Sequence, residues 1–470
     1  MATVITSTDI GSNLFIGFTK LNAREQLRGI NYRVVYANNT PENNAIELYN
    51  AYQFAKIQNP NGGPKSDTNR FVIFLAPGRY TFNLGFPTEL DLDTPYVDII
   101  SLSGEADVTI TSLATSDPIT VSTSDIRLRG INLDGQAIQI NSSYGNNYFE
   151  NIIGGESNFS NPSTSGGDIA GNFKNCVGGD YSFGDTDYGQ AVYDSTFENC
   201  TAGDYSFGAT LQNCKLKNCT ATFASFGQVN ITNSTLTDCT ASGDSFGTES
   251  GISGSKLTNC TGNSYCFGRA NGTSQLINTT FTNCNAFEGS FGFYIEDCTL
   301  LNCKANENSF GMTSNSGIVS EIYSSTFTNC KAGDWSFGVR NGGGLKFTDC
   351  IAGVESFGAD QANATYKNCK AGVNSFGAGL QGWGTLIAGG EFYNCVADEN
   401  SFGTNFANGI YYHCVCNGLG GWVGSTQSGM GGFAFSCKGM NPTGLGQAAY
   451  CLDAAINPVN FGLTSTTNNI

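Results

Sequence analysis

One copy of a repeat occupies residues 327–338, with the sequence Phe-Thr-Asn-Cys-Lys-Ala-Gly-Asp-Trp-Ser-Phe-Gly. Ten further copies keep a cysteine eight residues before the glycine of Ser-Phe-Gly, which is Cys-Phe-Gly in a single copy. The repeat cysteines are Cys176, Cys200, Cys219, Cys239, Cys260, Cys284, Cys303, Cys330, Cys350, Cys369 and Cys395. The first and the last are 219 residues apart, so ten steps give a mean period near 22 residues. A period of this length without helical periodicity predicts an all-β fold, a parallel β-solenoid with one coil per repeat.

Two positions of the repeat are expected to face the interior. The residue three before each cysteine is always large and apolar, from Phe173 to Phe392, and the residue seven after it is always Phe, from Phe183 to Phe402. Stacked coils lie about 4.8 Å apart, so each position forms a ladder of like side chains along the solenoid. Asn, or Asp in two copies, directly precedes the cysteine. Amides in such a ladder can hydrogen-bond to one another at a corner of the coil.

The cysteine ladder is interpreted as a packing column, because a buried free thiol behaves as a small hydrophobe. Three further cysteines fit the repeat at other positions: Cys214 and Cys298 lie five residues before a repeat cysteine, and Cys266 replaces the serine of Ser-Phe-Gly. Occasional disulfides and a metal site are the alternatives. The spacing C-x4-C with no nearby histidine is weak support for zinc ligation.

Composition excludes several classes of protein. With 22 basic and 39 acidic residues the chain carries a net charge of −17, which makes nucleic acid and anionic membranes unfavourable partners. Hydrophobic residues make up 40%, enough for a core, so wholesale disorder is excluded. No run of eighteen apolar residues occurs, and the first fifteen residues lack the basic and apolar regions of a secretory signal. We therefore expect no membrane insertion, and folding in a reducing cytoplasm.

The chain outside the regular repeats suggests an organisation into four segments. Thr40 and Pro41 are the predicted N-cap and first residue of a short amphipathic helix that buries Leu48 and Tyr52. The predicted segments are an attachment or oligomerisation segment at 1–39, the capping helix with irregular coils at 40–150, the repeat array at 151–437, and a cap or trimer contact at 438–470.

Residues 40 to about 135 resemble a known superfamily. The capping helix is followed by an apolar strand that ends in Pro-Gly-x-Tyr (Pro77, Gly78, Tyr80), and then by Tyr-Val-x-Ile-x-Ser-Leu-x-Gly at 96–104. This order resembles the opening of right-handed β-helix proteins of the pectate-lyase-like type, and within them phage tailspikes, tail fibres and related virion appendages. The resemblance implies a right-handed single-stranded parallel β-helix that forms a homotrimer. It also implies contacts with other virion proteins through the N-terminal segment and binding of host surface glycans, which some members depolymerise.

Few residues are candidates for catalysis or metal binding. His413 is the only histidine and occupies the Asn position of a degenerate repeat, so histidine-based catalysis is nearly excluded. Carboxylates recur about four residues after many repeat cysteines, where a solvated acidic face is favoured over a hydrolytic pair. Glu288, Glu307 and Asp334 stand on consecutive coils, and calcium could bridge them through oxygen ligands. No catalytic residue is assigned, and calcium is the one cofactor considered.

The segments of variable length between repeats are the expected recognition surface, because insertions in a solenoid collect on one side. They carry the candidate carbohydrate-binding residues Tyr188, Tyr193, Tyr323 and Trp383, since an exposed aromatic ring can stack on a sugar. Packing of these rings against neighbouring coils or a trimer partner is an alternative of at least equal weight.

The predicted function is that of a viral structural protein, a fibre or tailspike-like appendage of the virion that contacts the host cell surface by glycan binding. A rigid acidic rod without an export signal would reach the outside through virion assembly and lysis. A polysaccharide depolymerase on the same β-helix, and a decoration protein that binds no glycan, are the alternatives. An ice-binding solenoid would need a regular Thr-x-Thr face, and the irregular threonines argue against it.

Overall fold

The structure, a computed structural model, describes residues 31–114, 117–140, 145–160, 168–185, 189–269, 274–311, 321–338, 340–341, 343–357, 360–376, 387–388, 390–399, 401–402, 406–407, 410–417, 433–440, 447–453 and 458–461. The chain divides into two compact units. The first unit is Met1–Ala209 with Asn213–Ala221, and the second unit is Thr210–Gln212 with Thr222–Ile470.

Among the described residues, the secondary structure is one α-helix, one 3-10 helix and many short strands. The helix α1 spans Pro41–Ile57 and the 3-10 helix spans Pro60–Gly62. The strands are β1 (Tyr32–Val35), β2 (Phe71–Leu75), β3 (Gly78–Phe82), β4 (Leu90–Leu92), β5 (Val97–Ser101), β6 (Val108–Ser112), β7 (Ile119–Val121), β8 (Arg127–Asn132), β9 (Ile138–Ile140), β10 (Tyr148–Ile153), β11 (Asn172–Lys174), β12 (Ala191–Tyr193), β13 (Thr196–Glu198), β14 (Thr210–Gln212), β15 (Lys215–Lys217), β16 (Asn230–Thr232), β17 (Thr235–Thr237), β18 (Gly251–Ser253), β19 (Lys256–Thr258), β20 (Gln275–Ile277), β21 (Thr280–Thr282), β22 (Tyr294–Glu296), β23 (Thr299–Leu301), β24 (Glu321–Tyr323), β25 (Thr326–Thr328), β26 (Arg340–Asn341), β27 (Lys346–Thr348), β28 (Asp360–Ala362), β29 (Thr365–Lys367), β30 (Ile387–Ala388), β31 (Glu391–Tyr393), β32 (Val396–Ala397), β33 (Phe406–Ala407), β34 (Ile410–Tyr412), β35 (Val415–Cys416), β36 (Phe433–Phe435), β37 (Lys438–Met440), β38 (Gln447–Asp453) and β39 (Pro458–Phe461).

The capping helix begins where the sequence predicts it. The Thr40 hydroxyl accepts a hydrogen bond from the backbone N–H of Asn43 at 3.3 Å, and Pro41 occupies the first turn. This satisfies one of the N–H groups that a helix leaves unpaired at its start. Leu48 and Tyr52 are fully buried. The helix therefore presents the predicted apolar face to the coils of the first unit.

In the first unit, successive coils are parallel and in register. β2 pairs with β5, β5 with β8, and β8 with β10, followed by β11, β13 and β15. Phe149, Phe173 and Phe197 occupy equivalent positions of successive coils, and their buried rings stack with centroids 5.0 and 4.7 Å apart. The predicted parallel β-solenoid is confirmed, and its core is a ladder of like side chains.

In the second unit, two parallel sheets run along the coils. The repeat sheet contains the strands that precede the repeat cysteines, namely β17, β19, β21, β23, β25, β27, β29, β31, β34 and β36. The second sheet contains β14, β16, β18, β20, β22, β24, β26, β28, β30 and β33. Phe327 stacks on Phe347 at 4.8 Å, and both meet Phe337 of the other ladder edge-on at 5.6 Å. Both predicted apolar ladders thus fill the interior.

The asparagine ladder forms a hydrogen-bonded corner beside the repeat sheet. The Asn329 amide donates to the Asn302 carbonyl oxygen at 2.9 Å, and the Asn302 amide donates to Asn283 at 2.9 Å. These residues have φ values of 52°, 55° and 55°, a left-handed conformation that Asn tolerates better than most residues. The chain bends at each asparagine, so the residues on either side of it form adjacent outward columns.

Candidate functional site

In the second sheet of the second unit, one set of side chains points into the core and the other set points outward. In β14, β16, β18, β20, β22 and β24 the middle residue is a buried Leu or Ile that stands five residues before the large apolar residue of the repeat. In β22 and β24 these middle residues are Ile295 and Ile322, both fully buried. Since side chains alternate along a strand, the residues flanking them face outward. The outward residues of these two strands are Tyr294, Glu296, Glu321 and Tyr323.

These four residues form a compact cluster, termed here the tyrosine–glutamate patch. Register places Tyr294 beside Glu321, and Glu296 beside Tyr323, so that the two residue types alternate on the sheet. The Tyr294 hydroxyl donates to Glu296 Oε2 at 3.0 Å, and the Tyr323 hydroxyl donates to Glu321 Oε2 at 2.9 Å. All four side chains are half-buried. The patch therefore offers two fixed aromatic rings and two carboxylates to a ligand.

The two rings of the patch do not cover one another. Their centroids are 5.7 Å apart and their planes are inclined at 45°. In contrast, Tyr393, Tyr412 and Phe435 on the outer face of the repeat sheet stack with centroids 5.1 and 5.3 Å apart and planes within 11° of parallel. In such a stack, the ring faces between neighbouring residues are covered by the next ring. The patch thus leaves ring surface for a ligand that the stack does not.

The surroundings of Tyr294 keep its hydroxyl protonated. Partial burial, the hydrogen bond to Glu296 and the negative charges of the neighbouring carboxylates raise the pKa of Tyr294 to about 12. At neutral pH the group is a hydrogen-bond donor and not a phenolate. Its role in the patch is consequently to hold Glu296 in place.

The structure describes two of the four aromatic residues that the sequence predicts as candidates. Tyr323 belongs to the patch, whereas Tyr193 is half-buried at the end of β12 in the first unit. Tyr188 and Trp383 lie outside the described residues. Of the described candidates, Tyr323 is the one that lies beside a second aromatic ring and two glutamates, while the assignment of the other candidates stays a prediction.

The predicted calcium column has carboxylates in different settings. Glu288 and Glu307 are exposed, while Asp334 Oδ1 accepts a hydrogen bond from the backbone N–H of Val354 at 2.7 Å. That bond joins one coil to the next. Within the described ranges, no group of three or more His, Cys, Asp or Glu side chains is arranged to hold a metal ion.

The repeat cysteines line the interior as free thiols. All eleven are buried, and no disulfide joins any of the cysteines whose side chains the structure describes. The Cys330 thiol donates to the carbonyl oxygen of Leu300 at 3.4 Å, one coil away. Burial raises the pKa of Cys298 and of Cys266 to about 12. A buried neutral thiol is neither a good nucleophile nor a metal ligand.

Three residues of the patch, Tyr294, Glu296 and Glu321, were not anticipated from the sequence. A signal for them exists: in the six coils from Leu211 to Ile322, a Leu or Ile stands five residues before the next large apolar residue and marks a second strand. Once that strand is placed, Tyr-Ile-Glu at 294–296 and Glu-Ile-Tyr at 321–323 present their outer residues on one surface. The pairing of the two strands supplies the remaining information.

Comparisons with known proteins leave the family open. No protein-family model matches the chain, and no curated protein matches it. Among solved structures, it is similar to the A-module of the mannuronan C-5 epimerase AlgE6 from Azotobacter vinelandii. The identity is 11%, over 87% of this chain and 95% of that module, with a TM-score of 0.17. A likeness this weak carries no conclusion about function. In the described part of the chain, no helix is long and apolar enough to cross a membrane.

Proposed function

We propose that the chain is a glycan-binding parallel β-solenoid, carried as an appendage of a virus particle that contacts the host cell surface. The observation that carries the glycan-binding proposal is the tyrosine–glutamate patch. The patch brings two tyrosines and two glutamates of neighbouring strands together on one outer face. Its two rings are inclined and mutually uncovered, and its two carboxylates are held by hydrogen bonds.

The chemistry of the patch suits a neutral sugar. The ring of Tyr294 or Tyr323 can stack on the C–H face of a pyranose, and the carboxylate of Glu296 can accept hydrogen bonds from sugar hydroxyls. The Glu296 carboxylate would disfavour an acidic sugar at the same position. We therefore expect a ligand rich in hydroxyls and without charge.

The test is binding of the full chain to an array of neutral oligosaccharides from bacterial surfaces, followed by titration calorimetry with the strongest ligand. We expect Tyr294→Ala and Tyr323→Ala each to weaken binding roughly tenfold, the loss expected for one aromatic contact of about 1.5 kcal/mol. The midpoint of chemical unfolding is measured for each variant, so that loss of fold is not mistaken for loss of the site.

Tyr393→Ala is the matched control. Tyr393 also donates to a glutamate two residues away on its strand, Glu391, at 3.2 Å, but its ring is stacked on Tyr412. Binding should be unchanged in this variant. If no neutral glycan bound, or if Tyr393→Ala weakened binding as much as Tyr294→Ala, the patch would not be the glycan site.

A depolymerase remains the second candidate, because glycoside hydrolysis needs two carboxylates and the patch contains two. Gel filtration of the bound polymer after incubation separates the two functions. Intact polymer that elutes with the protein supports binding alone. Shortened polymer, abolished in Glu296→Gln and Glu321→Gln, would make the protein an enzyme.

The placement on a virus particle is supported by the resemblance of residues 40–135 to tailspikes and related appendages. The same resemblance supports a homotrimer and attachment through the N-terminal segment. Mass spectrometry of purified particles and light scattering of the purified protein test these two parts. Absence of the chain from particles would confine the proposal to glycan binding, and a monomeric mass would remove the trimer.

A further inference from the structure

The lysines of the second unit all lie on one side of its coils. Residues 222–470 contain nine basic and sixteen acidic residues, so this part of the chain is acidic as a whole. Yet all seven of its lysines lie on the outward columns beside the asparagine corner of the repeat sheet. This set, termed the lysine face, consists of Lys256, Lys304, Lys331, Lys346, Lys367, Lys370 and Lys438.

The lysine face is densest over four consecutive coils. Lys304 pairs with Lys331 across neighbouring coils, and one coil separates Lys331 from Lys370. Lys346 and Lys367 lie on the adjoining strands β27 and β29 of the same sheet. Coils repeat about every 4.8 Å, so these five ammonium groups follow the solenoid axis with about one charge per coil.

The lysines are available to a ligand. All seven are exposed, and none forms a salt bridge with any carboxylate of the described residues. Lys217, in the first unit, is by contrast a lysine with a carboxylate partner, because its ammonium lies 3.7 Å from Glu198. A run of cations without carboxylate partners in the described part of the chain, on a protein with a net charge of −17, is what a surface for an anionic ligand requires.

The residues between the lysines add hydrogen-bonding groups. From Thr235 to Lys370 the outward columns of the repeat sheet, together with the positions that follow the cysteines, hold twelve threonines, six lysines, Asn285, Leu301 and Ile351. None of these residues is aromatic. Surfaces that bind single-stranded nucleic acid combine cations with aromatic platforms for the bases, and this surface has hydroxyls in their place.

We propose that the lysine face binds a linear sulfated polysaccharide laid along the solenoid axis. Every cation of the face is a lysine. Lysine, unlike the rigid fork of arginine, does not require an anion that presents two parallel acceptors, because it is a point charge with three rotatable donors. Such a donor suits the three equivalent oxygens of a sulfate ester, and the threonine hydroxyls suit the sugar. This site is separate from the tyrosine–glutamate patch, and its assignment does not depend on the patch.

The experiment measures binding of the full chain to dextran sulfate, with unmodified dextran and carboxymethyl-dextran as polymers of the same backbone. We expect binding to dextran sulfate at low salt, weaker binding as salt rises, and no binding to dextran. The variant Lys304→Gln/Lys331→Gln/Lys370→Gln should lose affinity by about tenfold and show a smaller dependence on salt, since exposed ion pairs each contribute modestly.

The matched control is Lys56→Gln/Arg127→Gln/Arg269→Gln, which removes the same charge from outside the lysine face. Each of these cations already has a carboxylate partner: Asp93, Asp67 and Asp244, respectively. This variant should bind dextran sulfate as the unmodified protein does. Equal losses in the two triple variants would show a response to net charge alone and would overturn the proposal.

Three other results would also overturn it. One is tighter binding of carboxymethyl-dextran at equal charge, and another is tighter binding of oligothymidylate through the same lysines. The third is a change of assembly mass in the lysine variant with sulfate binding intact, which would make the face an interface between copies. Alanine variants of Tyr294 and Tyr323 should keep dextran sulfate binding, so failure of the glycan patch and failure of the lysine face are distinguishable.

Discussion

At the scale of single residues, asparagine is suited to the corner of each coil for two physical reasons. Its backbone tolerates the left-handed conformation, and its side chain is both donor and acceptor, so it can join the coil before and the coil after. Asp349 fills the same position, and it accepts from Asn368 at 2.9 Å. An ionised carboxylate has no hydrogen to donate, so an aspartate rung serves one neighbour and not both.

The pKa of Tyr294 gives a prediction at this scale. In the folded chain the phenol is protonated up to about pH 12, against 10.0 for an ordinary tyrosine. A raised pKa means that the contribution of this group to stability is complete below pH 10 and is lost as the pH rises from 10 to 12. Tyr52 and Tyr80 are buried and also titrate late, so Tyr294→Phe should remove one tyrosine from the absorbance change at the phenolate band near pH 12 and leave the rest.

Glu296→Gln tests whether the charge of Glu296 contributes to the raised pKa of Tyr294. It removes the neighbouring negative charge while keeping an acceptor, so the Tyr294 component of the absorbance change should move toward lower pH. An unchanged titration in Glu296→Gln would contradict the assigned geometry of the patch.

At the scale of elements, the strands are too short to be stable alone, since most contain three residues. Each gains its hydrogen bonds from the coil before and the coil after. The corners must therefore repeat with the same geometry, because one displaced corner would shift every residue of its strand against its neighbours. The glycine of Ser-Phe-Gly occupies such a corner, with φ of +69° at Gly292.

Substitution of that glycine should be costly. In Gly292→Ala the new methyl group would lie 2.6 Å from Cγ of the buried Leu276, on a backbone conformation that alanine disfavours. We expect a loss of about 2–4 kcal/mol of unfolding free energy, from the left-handed conformation and overpacking together. Urea unfolding monitored by circular dichroism measures it.

Gly343→Ala is the control for this prediction. Gly343 is exposed, and a methyl group there would meet no atom within 4 Å. Its substitution should change the unfolding free energy by less than about 0.5 kcal/mol. Equal effects at the two glycines would mean that the corner is not a constrained element.

At the scale of the whole molecule, stability is a sum over coils and their interfaces, as in other solenoids. Where the structure describes the interior, like residues stack in successive coils, as in the two phenylalanine ladders. The cysteine ladder is part of this core. The chain has eighteen cysteines, and seventeen of them are free and buried.

This arrangement predicts the thiol chemistry of the native protein. With a thiol reagent such as DTNB, at most Cys451, whose side chain lies outside the described set, should react within minutes. After unfolding in guanidinium without reductant, all eighteen should react. A count well below eighteen in the unfolded protein would reveal disulfides and contradict the interpretation of the ladder as free packing thiols.

The sequence by itself determined the fold and the identity of its core. A constant offset of eight residues between cysteine and glycine, with Phe and Asn at constant places between or beside them, leaves few arrangements other than stacked coils. The capping helix was predictable from Thr40 and Pro41 for a local reason, since capping depends on neighbouring residues alone.

Tertiary structure decided which residues of the tyrosine–glutamate patch and of the lysine face become neighbours. Tyr294 and Glu321 are 27 residues apart, and the segment between Gly311 and Phe327 is longer than in adjacent coils, so counting forward from the repeat glycine does not align them, whereas the strand register does. The lysines likewise hold three different places in the repeat, before and after the asparagine. Only the strand register and the bend at each asparagine bring them to one side, because those two features set the direction of every outward side chain.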